Sequence, residues 1–375
     1  MKTATTVLIL CVGGLLGLGM VMLYSSGLHR GGAHYLLLQA AWGSVGLIGC
    51  VIAAAVDYRQ LKKISWMIYL LIVVLLVLVL IPGIGLWRGG ARRWFNLGVG
   101  SFQPSEAAKL ALILILAWYG DRYQRLMPTF LRGLAVPCLI IAPVLGLIFV
   151  EPDRGTTILL AVVSCSLLFL AGVKLQHLLP PAMVAAAGLC WSLWHDPVRW
   201  KRIMSWFYES EHRQGTGYQS YQATLALGSG GPTGVGLGNG RQKLGFVPEA
   251  HTDFIFSVVG EELGLVATMA VLVAFILFIW CGIYIASKAR DTFGFLLASG
   301  ITLLIGMQAW INIGVVTNTL PNKGLALPFI SYGGSSLVLM LVSVGVLLSV
   351  ARHNTDESVE EETVDFEGTE SHAIG

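Results

Sequence analysis

The chain has 375 residues, 55% of them apolar and only 12% charged, with 45 glycines. This composition excludes a disordered chain and a set of water-soluble domains. Repeated apolar runs of about 20 residues, enough to cross ~30 Å of hydrocarbon, mark an all-α, polytopic integral membrane protein. The net charge of +3 is unevenly spread. Eight of the 21 acids follow Asn354, and the part before them carries 24 bases against 13 acids. A basic membrane body over 1–354 is expected to end in a solvated, disordered acidic tail over 355–375.

Ten spans are expected. They lie near Thr5–Leu23, Tyr35–Val56, Ile64–Leu86, Ser105–Tyr119, Gly133–Val150, Thr156–Gly172, Leu178–Trp194, Glu262–Ala286, Phe293–Val316 and Ile330–Val350. The first follows Lys2 in the manner of a signal peptide, but its length and the lack of a small-residue cleavage site favour an uncleaved span. All six cysteines fall inside apolar runs and read as small hydrophobes, neither disulfide pairs nor zinc ligands. The interior glycines suit close contact between helices in lipid, where apolar burial cannot drive association.

Loop charge sets the orientation. With the N-terminus inside, eleven bases fall on the cytoplasmic side: Lys2, Arg59, Lys62, Lys63, Arg122, Arg125, Arg132, Lys174, Lys288, Arg290 and Arg352. The short loops of the other face hold six: Arg30, Arg88, Arg92, Arg93, Arg154 and Lys323. Bases in the long 196–260 segment carry little topological weight. Both termini are therefore expected inside, and the long loop between spans seven and eight outside. External bases that break the bias, above all Arg88, Arg92 and Arg93, suggest an anion bound on that face.

The 196–260 loop opens with VRWKRIMSWFYES, in which Val198, Ile203, Trp206 and Phe207 alternate with bases, as in an amphipathic helix on a membrane surface. It continues through GSGGPTGVGLGNG. No βαβ unit surrounds these glycines, so a dinucleotide site is rejected in favour of tight turns and close backbone packing.

Five stretches could carry chemistry. WRGGARRWFNLG sets three arginines between Trp87 and Trp94. The planar forks of Arg92 and Arg93 suit phosphate oxygens, and a loop anchored among lipid headgroups is the alternative. In FQPSEAAKLAL, Pro104 opens a helix, Ser105 is expected to cap it, and Glu106 and Lys109 share a face at i, i+3. They form either a structural ion pair or the floor of a polar cavity. EPDRG at 151–155 reads as a turn, with Glu151 and Asp153 as either a catalytic pair or hydrated turn residues. The stretch 317–337 brings Lys323, which could neutralise a phosphate, and Ser331. PEAHTDFIFSVVGEE at 248–262 concentrates His251, Asp253, Glu261 and Glu262 at the lip of span eight, where charge is costly. Asp253 at a helix start is either a cap or an ionised general base on the outer face.

Together these segments resemble the SEDS (shape, elongation, division and sporulation) family of membrane glycosyltransferases. The resemblance rests on GARRWFNLG, FQPSEAAK, EPDRGTT, GVGLGNGRQKLGFVPEAHTDFIFSVVGEELG and LPNKGLALPFISYGGSS, in family order and spacing over nearly the whole chain. VVGEELG and the closing block favour the division branch, with elongation and sporulation as alternatives inside the family. Arg154 and Asn322 depart from the usual family residues, and neither removes a proposed catalytic group.

The resemblance implies polymerisation of lipid II into β-1,4 glycan strands at the outer face of the bacterial cytoplasmic membrane, at the septum. Asp253 matches the family's proposed base, and undecaprenyl pyrophosphate is the leaving group. The matching blocks imply substrate contacts from Trp87, Arg92, Arg93, Trp94, Gln103, Ser105, Glu106, Lys109, Lys243, His251, Thr252, Lys323 and Ser331, with Glu261 and Glu262 either structural or lining the cavity. The implied partners are lipid II, the nascent glycan strand, a class B penicillin-binding protein and other division proteins, with no nucleic acid. A divalent cation, Mg or Mn, is left open with no ligand set assigned. A lipid II flippase and a scaffold that activates the transpeptidase are the rival functions from other classes.

Overall fold

The computed structural model describes the chain except residues 28–31, 89, 99, 209–213, 216, 247–250 and 373–375, and it does not describe the side chains of 32, 33, 88 and 355–372. Arg30, the Arg88 side chain, Pro248 and the side chains of the acidic tail therefore lie outside the described residues.

Among the described residues the helices run α1 (Lys2–Gly27), α2 (Gly32–Ala55), α3 (Tyr58–Leu80), α4 (Pro104–Arg122), α5 (Val136–Val150, entered through a π-helical turn at Leu131–Ala135), α6 (Arg154–Leu170) and α7 (Leu175–Trp194). They continue with α8 (Pro197–Phe207), α9 (Tyr218–Ser229), α10 (Ile255–Ser287), α11 (Thr292–Val316) and α12 (Gly334–His372). Eight of these segments are long and apolar enough to cross a membrane, so the chain is a multi-pass membrane protein. The two other expected spans fall on α4 and α6. Helix α6 has only 17 residues. Helix α4 carries Glu106, Lys109, Asp121 and Arg122, yet most of its residues are buried. It contacts α3, α5, α6, α11 and α12 and is buried on all sides, as expected for a helix at the centre of a large protein.

The bundle is tied by close backbone approaches at glycine. Along α2 and α12, a Cβ at Gly345 would sit 2.2 Å from the Cys50 carbonyl oxygen, and one at Gly49 would sit 2.8 Å from Val342. Dispersion and fit, rather than hydrophobic transfer, hold such a seam in lipid.

Two features depart from expectation. The fold is helical as expected, but the segment between α3 and α4, read as a charged loop, folds as a small three-stranded antiparallel sheet in the order β1 (Leu86–Arg88), β2 (Ala91–Asn96), β3 (Ser101–Phe102). Trp87 pairs with Arg92 and Leu86 with Trp94 across the first hairpin. Its arginines read as a charged loop because strands of two to six residues leave little periodic signal.

The second departure lies in α10, which breaks at Gly264, a residue with φ +75°. The helix therefore begins at Ile255, and its continuous span follows the break. The glycine-rich 230–240 segment, from which close backbone packing was expected, packs against this break. Val235 and Gly236 donate their N–H groups to the carbonyls of Glu261 and Glu262 (both 3.0 Å), and Leu265 donates to Gly231 (2.9 Å). These bonds satisfy backbone groups that the interruption frees, a requirement at membrane depth. A Cβ at Gly234 would lie 2.1 Å from the Glu262 carbonyl oxygen, so only glycine fits there.

Candidate active site

Asp253 sits in the turn that leads into α10. Phe254 takes the N-cap position of α10, one residue after Asp253, and has no polar side chain to cap it. The Asp253 backbone is held from α11, where Asn312 Nδ2 donates to Asp253 O (2.7 Å) and to Leu325 O (2.6 Å). The carboxylate faces the 322–333 loop so closely that a Cβ on Gly324 would lie 2.6 Å from Asp253 Oδ2. Asp253 remains partly exposed, as a group that must meet substrate requires.

The flanking residues act as a frame. Ser331 Oγ donates to Thr252 O (2.7 Å) and accepts from Leu327 N (2.7 Å), and Tyr332 N donates to His251 O (3.0 Å). The His251 ring lies 5.1 Å from that of Tyr35, and Gln39 Nε2 donates to Ser331 O (3.1 Å). Ser331 was expected to touch substrate, but it is buried and both bonds of its hydroxyl serve the fold. His251 and Thr252 stay half-exposed beside Asp253.

On α4, Lys109 Nζ bonds Glu106 Oε1 (2.7 Å) and Gln308 Oε1 (3.0 Å), and Gln308 Nε2 passes the network to Ala326 O (2.9 Å). The ion pair between Glu106 and Lys109 thus forms as anticipated and supports the underside of the same loop. The expected Ser105 cap does not form. Gln103 occupies the cap position with Pro104 after it, and Gln103 Nε2 donates to the buried Ser105 Oγ (2.9 Å).

The sheet supplies the cationic side. Arg93 Nε donates to Glu151 O (2.6 Å), which fixes β2 against the α5–α6 turn. Arg92 lies over the exposed Trp87 ring at 5.3 Å, and Trp94 is half-buried. Asp153 caps α6 by accepting from Thr156 N (3.1 Å) and Thr156 Oγ1 (2.9 Å). Its charge also supports the Lys323 ammonium, which burial pushes down from the usual lysine range. Glu151 is fully buried, and among the described residues neither carboxyl oxygen has a hydrogen-bond partner. Burial raises it to about 8, Asp153 adds to the rise, and Arg93 opposes it.

Lys243 is not brought to this cluster. Its ammonium bonds Glu262 Oε1 (2.6 Å), Ser25 Oγ (2.8 Å) and Gly238 O (2.9 Å), which uses all three protons inside the protein. The expectation that it binds substrate is therefore corrected. Glu261 accepts from the N–H groups of Arg241 (2.7 Å) and Gln242 (3.1 Å), so both glutamates are structural, one of the two roles expected of them. Gln308 and Asn312 were missed. They stand at i, i+4 on one face of an apolar span, a signal present in the sequence.

Asp253, Asn312, the Lys323 loop and the Arg93 strand thus meet at one end of the bundle, on segments that coincide with the sequence blocks quoted above. The family model described as cell cycle protein, FtsW/RodA/SpoVE, matches residues 5–356. The chain belongs to this family. A relative from Geobacter sp. (strain M18), named probable peptidoglycan glycosyltransferase FtsW, is 40% identical over 89% of this chain and 92% of its own length. Stage V sporulation protein E of Bacillus subtilis is 38% identical over 91% of this chain and 94% of its own. Among solved structures, a chain from a peptidoglycan synthase complex that coordinates polymerization and crosslinking superposes with a TM-score of 0.79 at 28% identity, covering 93% of this chain and 97% of that one. Rod shape determining protein RodA of Thermus thermophilus gives 0.68 at 28% identity, over 93% and 96%.

Proposed function

We propose that this family member polymerises lipid II into glycan strands at the outer face of the cytoplasmic membrane, as an FtsW-type peptidoglycan glycosyltransferase of the division septum. The observation that carries the reading is the placement of Asp253. It is partly exposed, it stands one residue before the N-cap of α10, and its backbone is pinned by Asn312 against the Lys323 loop. As general base it takes the proton of the acceptor's N-acetylglucosamine 4-hydroxyl. That oxygen attacks C1 of the donor's N-acetylmuramic acid, and undecaprenyl pyrophosphate departs with the bonding pair. One displacement inverts the anomeric carbon, so no glycosyl-enzyme forms. Arg92, Arg93 and Lys323 are suited to the charge that builds on the leaving pyrophosphate.

A divalent cation was left open by the sequence. Among the described residues no three His, Cys, Asp or Glu side chains gather into a metal-holding group. The described residues therefore offer no three-ligand protein cage for a cation, and no step here runs through one. The further parts of the reading are ten crossings that include α4 and α6, a boundary near 354 before an acidic tail, both termini in the cytoplasm, and a class B penicillin-binding protein as transpeptidase partner.

The test is Asp253→Ala, purified and supplied with lipid II. A general base supplies roughly 10²–10⁴-fold, so glycan polymer on a gel is expected to fall by at least about 100-fold while thermal melting stays near the parent's. Normal polymer from a folded variant rejects Asp253 as the base.

A further inference from the structure

The end of the bundle away from Asp253 holds a built cavity. There α3 starts, α4 ends and α5 starts, and Trp66, Tyr69, Trp118, Tyr123, Arg132 and Leu139 line a space of about 340 Å³. That volume lies at the lower end of small-molecule sites. The aromatic wall is pre-set by edge contacts, with Trp66 and Trp118 centroids 5.7 Å apart and Trp66 and Tyr69 also 5.7 Å apart. Two phenols hold α5 in place, because Tyr69 Oη donates to Ile140 O (2.8 Å) and Tyr119 Oη to Arg132 O (2.7 Å). With those hydroxyls engaged, Arg132 is the charged group of the lining.

Arg132 is placed by the π-helical turn Leu131–Ala135, a local device often found where a helix serves a site. The turn is tight: a Cβ on Gly133 would lie 2.0 Å from Met127 O. The Arg132 guanidinium stands over the Tyr123 ring at 5.3 Å, and among the described residues it forms no ion pair with a carboxylate. Asp121, the acid nearest in sequence on α4, is already held by Lys62 at 2.5 Å. Lys63, Arg122 and Arg125 add exposed positive charge at the same end. On the open side Leu139 is 74% exposed and Trp66 40%, so the cavity gives directly onto the surface that hydrocarbon covers.

A positive group, an aromatic wall at interfacial depth and an apolar exit are complementary to one kind of molecule. We propose that this cavity binds an anionic glycerophospholipid of the leaflet at the basic end. The phosphate meets Arg132, the glycerol region rests on the Trp66–Trp118 wall, and an acyl chain leaves past Leu139. Basic pockets between helices are established anion-headgroup sites, and tryptophan favours the headgroup zone. The site is independent of the assignment of Asp253.

The test uses the full chain in detergent micelles under native mass spectrometry, titrated with phosphatidylglycerol or with phosphatidylcholine of the same acyl chains. The expected result is a retained phosphatidylglycerol adduct in preference to phosphatidylcholine. Removing one charge-assisted contact costs about a factor of ten, so Arg132→Ala should weaken phosphatidylglycerol about tenfold and leave phosphatidylcholine unchanged. Arg125→Ala, which removes a base outside the cavity, should leave the preference intact. Equal retention of the two lipids, an unchanged Arg132→Ala, or an equal loss in Arg125→Ala overturns the proposal. So does displacement of the adduct by glycerol 3-phosphate, which would mean that free phosphate suffices. As a second measurement, brominated phosphatidylglycerol should quench parent tryptophan fluorescence more than brominated phosphatidylcholine. That excess should shrink in Trp66→Phe, and an undiminished excess counts against the site.

Discussion

Asn312→Ala probes the link between fold and chemistry. The residue is buried, and its single amide nitrogen serves the carbonyls of Asp253 at 2.7 Å and Leu325 at 2.6 Å. Truncation leaves the buried Leu325 carbonyl and the part-buried Asp253 carbonyl without that donor. Each loss costs about 1–3 kcal/mol, so roughly 2–6 kcal/mol is expected and the melting temperature should fall clearly. Activity should fall further than stability. The bonds fix the turn carrying Asp253 relative to the Lys323 loop, and a shift of about 1 Å in a reacting group can cost about 100-fold. The assay pairs thermal melting of the purified protein with lipid II polymerisation measured well below the variant's transition. An Asn312→Ala variant with parental melting and parental polymer yield would refute the reasoning, because the two carbonyls would then need no donor. Lower stability with full activity would confine Asn312 to folding.

Three further outcomes follow from single contacts. Gly324→Ala places a Cβ 2.6 Å from Asp253 Oδ2, and the short side chain must swing away. Polymerisation should drop at least about tenfold with little change in melting, and full activity would show that the carboxylate need not occupy this position. For Glu151, the folded-state value of about 8 lies above the ordinary 4.5, so the fold favours the neutral acid. Its contribution is fully present below about pH 4.5 and is lost as pH rises through about 8. Glu151→Gln should flatten the fall in melting temperature across that window and melt above the parent near pH 9, and parallel profiles would contradict this. Lys243→Met strands the buried Glu262 carboxylate, at a cost of about 3–5 kcal/mol. Adding Glu262→Gln should recover part of that loss, and a strictly additive pair would mean that the two charges do not depend on each other.

Much of this protein was legible in its sequence for a simple reason. Spans are written in composition, because hydrocarbon demands about 20 apolar residues wherever the chain crosses. The Glu106–Lys109 pair was equally legible, since helical spacing alone puts both on one face. Asp253 stood out because charge is costly at a membrane lip.

What the sequence could not decide is which polar groups use one another up. Lys243 and Ser331 carry the same functional groups as residues that meet substrate. Only the packing shows three internal acceptors around the Lys243 ammonium, and both bonds of the Ser331 hydroxyl turned inward. The break at Gly264, and the glycine loop that fills it, depend on segments some 30 residues apart finding each other's orphaned carbonyls. The placement of Asp253 has the same origin. Its neighbour Phe254 starts the helix, and a side chain on α11, about 60 residues away, determines where the aspartate stands. Residue types and spacing named the groups that could act, while tertiary contacts decided which of them remain available to substrate.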